Sequence, residues 1–384
     1  MIKVLFISQW YPNRYDQMFG LFVQKHAEAV SLFTTVKVLY VQADERIEKF
    51  EIVETVKENI TELIVYYPFN KDRLLKKITK FSNYLRAYRI GYKQITRDNF
   101  KPDIVHANIL TRTGIIAYLF KLWKKTPYIV TEHSSRYLPN RNSFKGTFRK
   151  FLTRLIVKNA SAILPVSYSL KKAMLDHGLF NNNYIVVNNV VDNFFFEEIP
   201  EVHRTKKRFI HVSCFDEQAK NISGILRATY ELSKIRQDFE LIIIGTGFDF
   251  KQVYSYAQKL DFRKGILHFL GEKTPEEVAN WLHNSDCFVL FSNYENSPVV
   301  ISESLVCGKP VISSDVGGIS EHINNSNGIL IRSGDENNLM EQMNNMLDHF
   351  EDYDSLKMKS MAKNMFSFES IGFILCEIYK RAIK

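Results

Sequence analysis

Short apolar, β-branched runs alternate with longer amphipathic stretches along the whole chain, the pattern expected of βαβ units with parallel sheets. In the first half this pattern predicts strands at Val4 to Ser8, Val36 to Val41, Ile104 to Ala107, Tyr128 to Thr131 and Ala162 to Val166. The second half restarts the rhythm at Phe209 to Ser213, Leu241 to Gly245, Leu267 to Leu270, Cys287 to Phe291, Pro310 to Ser313 and Ile329 to Ile331. Two such sets predict two Rossmann-like α/β domains with parallel sheets. Between them, Val187 to Asp192 and the acidic, proline-containing run Glu197-Glu198-Ile199-Pro200-Glu201 read as a linker, which puts the boundary near residue 195. Open parallel sheets bind ligands beyond the carboxyl ends of their strands, so two facing sheets predict a cleft between the domains.

At 384 residues the chain exceeds the usual size of a single hydrophobic core, which agrees with two domains. With 45% hydrophobic and 24% charged residues it has the composition of a folded protein and neither a disordered nor a fibrous class. The four cysteines form no C-x-x-C pair, and we expect reduced thiols, with neither disulfides nor zinc. Met1 to Ser8 reads as a buried first strand and not as a signal peptide, and no run reaches the 18 or so apolar residues of a membrane span. The expected location is the cytoplasm, with peripheral attachment to the inner face of the cell membrane left open.

The formal charge of +9 is uneven. The stretch from Lys71 to Lys101 holds ten basic residues interleaved with Leu74, Leu75, Ile78, Phe81, Tyr84, Leu85, Tyr88 and Tyr92 at helical spacing. It reads either as a basic amphipathic surface for anionic lipid or as a helix with a solvated basic face. No nucleic-acid motif accompanies the charge, so nucleic acid is not an expected partner.

The richest segment runs from Asn293 to Ile312. Ser297 is placed to cap a helix whose first residue is Pro298, and Gly308 with Pro310 supplies its stop. Such a helix leaves the amides of Val299 and Val300 free at its positive end, a site for a diphosphate. Glu303 lies one turn after Val299 on the same face, and Glu295 sits in the loop before the cap. Carboxylates beside a phosphate site make sense as acceptors for hydroxyls, which a nucleotide-sugar carries on its sugar and its ribose.

These residues resemble the retaining glycosyltransferases of family 4, which have the two-domain GT-B fold. Glu295 and Glu303 match the family's E-x7-E motif, and Gly308-Lys309-Pro310-Val311-Ile312 matches its following strand entry. Trp10-Tyr11-Pro12 with Gly20-Leu21-Phe22-Val23 resembles the N-terminal glycine loop, and Pro102 to His106 and Thr131-Glu132-His133 resemble acceptor-domain strand ends. Asn189-Val190-Val191-Asp192 resembles the interdomain motif and Asp315-Val316-Gly317-Gly318 the Gly-Gly turn, so the likeness spans nearly the whole chain. It implies an acceptor-binding domain over 1–195 and a nucleotide-sugar-binding domain over 196–384, with the last helix free to return to the first domain.

The resemblance implies a hexosyltransferase-type enzyme that transfers a sugar with retention to an acceptor such as a lipid-linked or other envelope glycan. Glu303 would hold the ribose, Glu295 the donor sugar, and the amides of Ser297, Pro298's neighbours Val299 and Val300 the sugar and phosphate. Lys220 matches the diphosphate-binding lysine, where a cation can neutralise a departing diphosphate. Gly20 and Gly247 would lie near the nucleotide, His133 by the transferred sugar, and His106 and Arg136 in the sugar or acceptor vicinity. No Asp-x-Asp cluster suggests a metal, and the expected mechanism uses neither metal nor cofactor.

Two positions depart from the family. Phe215 stands where an arginine is usual, five residues before Lys220, and Asn296-Ser297-Pro298 replaces a common Gly-Phe-Gly. Arg136 or Lys273 are the candidates to make up the missing cation. Alternatives that stay open are a nucleotide-sugar-binding protein without transfer activity and another GT-B enzyme, such as a sugar-nucleotide epimerase.

Overall fold

Strands buried on both faces need apolar side chains at nearly every position, which is why the central runs of this sequence are so uniformly apolar. The computed structural model describes residues 1–57, 59–69, 76–110, 112–139, 141, 143–200 and 203–384. Lys71, Arg73, Leu74, Leu75 and Glu201 lie outside the described residues, as do the side chains of Lys76, Lys77 and Ile78. By its internal packing the chain divides into one unit of Met1–Val190 with Phe368–Lys384 and a second of Val191–Ser367.

The first unit holds β1 (Lys3–Ser8), α1 (Leu21–Ser31), β2 (Thr35–Asp44), β3 (Glu51–Lys57), β4 (Ile60–Pro68) and α2 (Lys76–Ile95). It continues with β5 (Ile104–Asn108), α3 (Thr113–Lys124), β6 (Tyr128–Glu132), α4 (Thr147–Asn159), β7 (Ala162–Pro165) and α5 (Tyr168–Asp176). Its sheet has the order β3-β4-β2-β1-β5-β6-β7, and β5 and β6 are buried at every residue. Helices α2 to α5 cover one face, where Tyr88, Ile116, Ile156 and Leu170 join the core, and α1 packs on the other.

The second unit holds β8 (Lys207–Val212), α6 (Glu217–Lys220), α7 (Ile222–Ile235), β9 (Phe239–Ile244), α8 (Phe250–Lys259) and β10 (Leu267–Gly271). Then come α9 (Pro275–His283), β11 (Cys287–Leu290), α10 (Val299–Val306), β12 (Val311–Ser314), β13 (Gly328–Ile331), α11 (Glu336–His349) and α12 (Ser355–Phe366). Its six strands run parallel in the order β10-β9-β8-β11-β12-β13. The strand order reverses beside β8, so the loops after β8 and β11 stand at the switch point, where such sheets bind ligands.

Two features differ from expectation. The hairpin β3–β4 was missing from the predicted strands, and β3 pairs antiparallel with β4, so the first sheet is mixed. All seven residues of β3 are exposed, so this edge strand carries no buried apolar run to betray it. The division falls at Val190 and not near 195, because Val191 already donates to the carbonyl of Phe366 at 2.9 Å within the second unit. The C-terminal helix α13 (Phe368–Ile383), which the resemblance left free to return, belongs to the first unit, packed on α1 so closely that a side chain at Gly372 would strike the carbonyl of Ala29.

Candidate active site

At the carboxyl end of β8 the chain passes through Ser213 to Asp216 into the single turn of α6, then bends at Asn221 (φ 49°) into α7. This bend carries Lys220 toward the loop after β11. Lys220 Nζ donates to Glu295 Oε1 at 2.5 Å, and Ser292 Oγ donates to the same oxygen at 2.8 Å. Asn293 holds the two loops together, its amide on the carbonyl of Ala219 at 2.8 Å and its side-chain nitrogen on that of Gln218 at 3.0 Å. The ion-paired side chains are only 15% and 10% exposed. A pair so removed from water keeps its charge through mutual contact and added hydrogen bonds, and removing one partner strands the other.

Helix α10 starts beside this pair. Pro298 is its cap, with an extended ψ of 114° and a carbonyl that accepts from Ile301 at 3.1 Å, and no side chain caps the helix. The expected cap, Ser297, therefore sits one residue too early. The physical reason is that the extended Pro298 carbonyl already supplies the first helical hydrogen bond. The first helical amides, of Val299 and Val300, have no acceptor within the helix, so an anion site remains. Glu303 is half-buried one turn on, and after burial itself its charge is the next cause that raises the Cys307 thiol above its usual range.

The turn Asp315 to Gly318 braces the glutamate loop from the other side. Gly318 donates to the carbonyl of Asn296 at 3.0 Å, and Gly317, at φ 62°, lies so close that a Cβ would collide with the backbone of Glu295. Gly247 lies against the backbone of Phe215, whose amide bonds the carbonyl of Thr246 at 2.9 Å.

Phe215 itself is 1% exposed, with its ring 5.2 Å from that of Phe250. The position expected to offer a second phosphate cation is thus part of the core. Of the two candidates to replace it, Lys273 pairs with Glu277 at 3.0 Å on α9, and Arg136, in the first unit, donates from Nε to Ser134 Oγ at 2.9 Å.

In the first unit, His133 follows β6, 8% exposed, with its ring 4.5 Å from Phe22 and 5.4 Å from His26. Burial first, then the neighbouring His26 and His106, holds His133 well below the usual histidine range, so it is neutral. His106 does not line a ligand site. It is fully buried, with Nδ1 2.6 Å from Tyr379 of α13 and Nε2 2.6 Å from Thr131, so both ring nitrogens serve the interior. Gly20, at φ 72°, precedes α1, and its missing Cβ makes room for the chain's own backbone at Trp10 and Tyr11.

Lys220 and Glu295 are thus brought together at the tip of α10 in the second unit, while His133, Arg136 and Gly20 belong to the first. Ser292 and Asn293 were not singled out as site residues. Serine at a strand end carries no motif, and only the approach of two loops distant in sequence gives either residue its part. Among the described residues, no group of three or more His, Cys, Asp or Glu could hold a metal ion.

Two Rossmann-like units, the second with a helix tip and an ion pair at a switch point, have the architecture of the GT-B class. The pattern of the family "Glycosyl transferases group 1" matches residues 193–363, and that of "Glycosyltransferase Family 4" matches residues 35–193. The chain belongs to glycosyltransferase family 4, and it is a glycosyltransferase. It is 27% identical to an uncharacterized glycosyltransferase of Methanocaldococcus jannaschii, over 72% of this chain and 74% of that protein. It is 26% identical to the N,N'-diacetylbacillosaminyl-diphospho-undecaprenol alpha-1,3-N-acetylgalactosaminyltransferase of Campylobacter jejuni, over 62% of this chain and 66% of that one. The crystal structure of Anabaena HepE in complex with UDP has the same fold, with a TM-score of 0.73, 15% identity and coverage of 99% of this chain and 100% of that one.

Proposed function

We propose that the enzyme binds a nucleotide-sugar at the tip of α10 and transfers its sugar, with retention of anomeric configuration, to a lipid-linked or other envelope glycan. The observation that carries this reading is the Lys220–Glu295 pair beside the free amides of Val299 and Val300. It puts a cation for a diphosphate and an acceptor for a sugar hydroxyl within one hydrogen bond of each other. Support for the donor class comes from the Anabaena neighbour, which holds UDP, and for the acceptor class from the Campylobacter relative, whose name contains a diphospho-undecaprenol.

In this mechanism the bond between the anomeric carbon and the phosphate oxygen breaks as the acceptor oxygen bonds to that carbon on the same face. The acceptor's proton passes to the leaving phosphate. Lys220 and the helix amides stabilise the charge that grows there, the task a metal ion performs in other transferases. Glu303 holds the ribose, Glu295 the sugar, and Ser292 fixes the Glu295 carboxylate. His133, neutral and nearly buried, and Arg136 are the first unit's candidates for the sugar or acceptor, and Gly20 for the nucleotide's surroundings.

A peripheral attachment to an anionic membrane belongs to the same reading, with the stretch from Lys71 to Lys101 as its sequence-defined candidate. No described helix is long and apolar enough to cross a membrane. Within that stretch Lys80 lies 4.2 Å over the ring of Phe69 and Arg86 5.1 Å over that of Phe50.

The test is a panel of UDP-, GDP- and ADP-sugars, read by thermal stabilisation and by acceptor-dependent release of nucleoside diphosphate. A donor at a hundred times its dissociation constant adds about 2.7 kcal/mol of stability. Glu303→Gln should weaken binding of the free nucleoside diphosphate, whereas Glu295→Gln should leave that binding intact and lower turnover. Stabilisation without any acceptor-dependent release would favour a binding protein without transfer activity.

A further inference from the structure

Between Asp103 and Asp176 the sequence carries 13 Lys and Arg residues and a single acid, Glu132. Glu132 is fully buried, its carboxylate accepting from the amides of Leu110, His133 and Ser134. The stretch therefore offers no exposed acid, and its net charge of +12, Glu132 included, exceeds that of the whole chain, +9. Much of it gathers on α3 and α4, adjacent helices on one face of the first sheet, linked where Lys121 donates to the carbonyl of Asn159 at 2.7 Å.

The outer arc of α4 joins this charge to exposed rings. Phe148 is 76% exposed and Phe151 65%, beside Arg149, Arg154 and Lys158, which also face solvent. Ile156 and Val157 fill the core on the opposite side. At the end of α3, Trp123 is 74% exposed and Leu122 55%, next to Lys124 and Lys125. Arg154 donates to the carbonyl of His177 at 3.2 Å, which ties in the turn that leads to Phe180, itself 67% exposed. Among the described residues no carboxylate pairs with Arg149, Lys150, Arg154 or Lys158.

We infer that the outer face of α3 and α4 docks on an anionic lipid surface, its cations at the headgroups and Phe148, Phe151 and Trp123 inserted below them. Lysine and arginine stems reach upward from an interfacial helix while aromatic rings enter the acyl boundary, and each basic residue near an anionic leaflet contributes about 1 kcal/mol. A soluble polyanion would use the charge but has no need of two phenylalanines held in water, which is why lipid is the better occupant. The inference rests on the proposed membrane attachment and moves its principal contact from α2 to α3 and α4.

The experiment uses the full chain with vesicles of phosphatidylcholine alone or with about a third phosphatidylglycerol. Five proteins are compared: wild type, Arg149→Glu/Lys150→Glu/Lys158→Glu, Phe148→Ser/Phe151→Ser, these two sets combined, and Lys76→Glu/Lys77→Glu/Lys80→Glu on α2. Wild type should bind only the anionic vesicles and be released at about 1 M salt, where the screening length falls to about 3 Å. The charge reversals on α4 should lower binding at least a hundredfold, taking about 1 kcal/mol for each residue that reaches the surface. Phe148→Ser/Phe151→Ser alone should lower it about tenfold while thermal unfolding and donor hydrolysis in solution stay unchanged. If wild type does not bind anionic vesicles, the membrane reading itself fails. If it binds and only the α2 variant is released, the α3–α4 assignment fails and the membrane reading stands. Full binding by the double serine variant, together with complete competition by a soluble acidic polysaccharide, would make the face a polyanion site and overturn the lipid assignment.

Discussion

The two units carry opposite charge. The first has 33 Lys and Arg against 16 Asp and Glu, a net of +17, and the second 18 against 26, a net of −8. Yet the site suited to a diphosphate lies in the acidic unit, while the candidate histidines of the basic unit are buried and neutral. Net charge describes what a whole surface attracts over a screening length, whereas a phosphate site is made by one cation and a few amides acting at about 3 Å. The basic unit's charge is therefore free to serve a larger anionic partner.

The largest effect expected from this contrast is on Phe215. Restoring the family's arginine by Phe215→Arg would bury a guanidinium among Phe250 and Phe269, and should cost about 4 kcal/mol or more of stability without improving donor affinity. Denaturant unfolding and donor titration measure both. A stable variant with tighter donor binding would mean that the aromatic core yields there and that the acidic unit lacks a phosphate cation after all.

Lys220→Ala should lower turnover about a hundredfold or more, by removal of the side-chain cation proposed for the leaving diphosphate. It also leaves the half-shielded Glu295 carboxylate with Ser292 but without its ion partner, so Lys220→Ala and Glu295→Gln should combine non-additively. Steady-state kinetics of the two single variants and the double variant test this, and simple additivity would show that the pair does not act as a unit.

A smaller effect concerns protons. Burial lowers His26 in the first unit to about 4, and His211 in the second also to about 4. His106 and His133 are lowered as well, so all four are neutral when folded and bind a proton more readily when unfolded. Stability should thus be full above the ordinary histidine range, near 6.5, and fall as pH drops from there toward about 4. Thermal scans across that window should report a falling midpoint, shallower in His26→Gln, and a flat profile would show that these rings protonate freely in the fold.

Much of this was legible in one dimension, for reasons that differ by residue. The central strands of the second unit could be read because a strand buried on both faces must be an apolar run, and the partly exposed edge strands β10 and β13 keep enough apolar residues to follow the same rhythm. The exposed edge strand β3 has no such requirement and went unread. Glu295 and Glu303 are candidates by their spacing around a helix start and Lys220 by its likeness to a family motif, and the structure adds that Lys220 and Glu295 meet. His106 reads as a strand end but stands in the middle of β5, and whether such a residue faces a ligand or the core depends on Tyr379, 273 positions later.

The sequence by itself determined the two α/β units, a helix close to α10 and the family, because hydrophobic period, helix stops and short motifs act over a few residues. Tertiary structure alone decided that Lys220, 75 residues before Glu295, and Ser292 both donate to one oxygen of that carboxylate, and that Phe215 is core. It also decided that Glu132 is hidden while Phe148 and Phe151 are exposed beside the basic residues of α4. Burial and approach between distant segments are set by how helices pack on a sheet, and no local spacing in the chain encodes them.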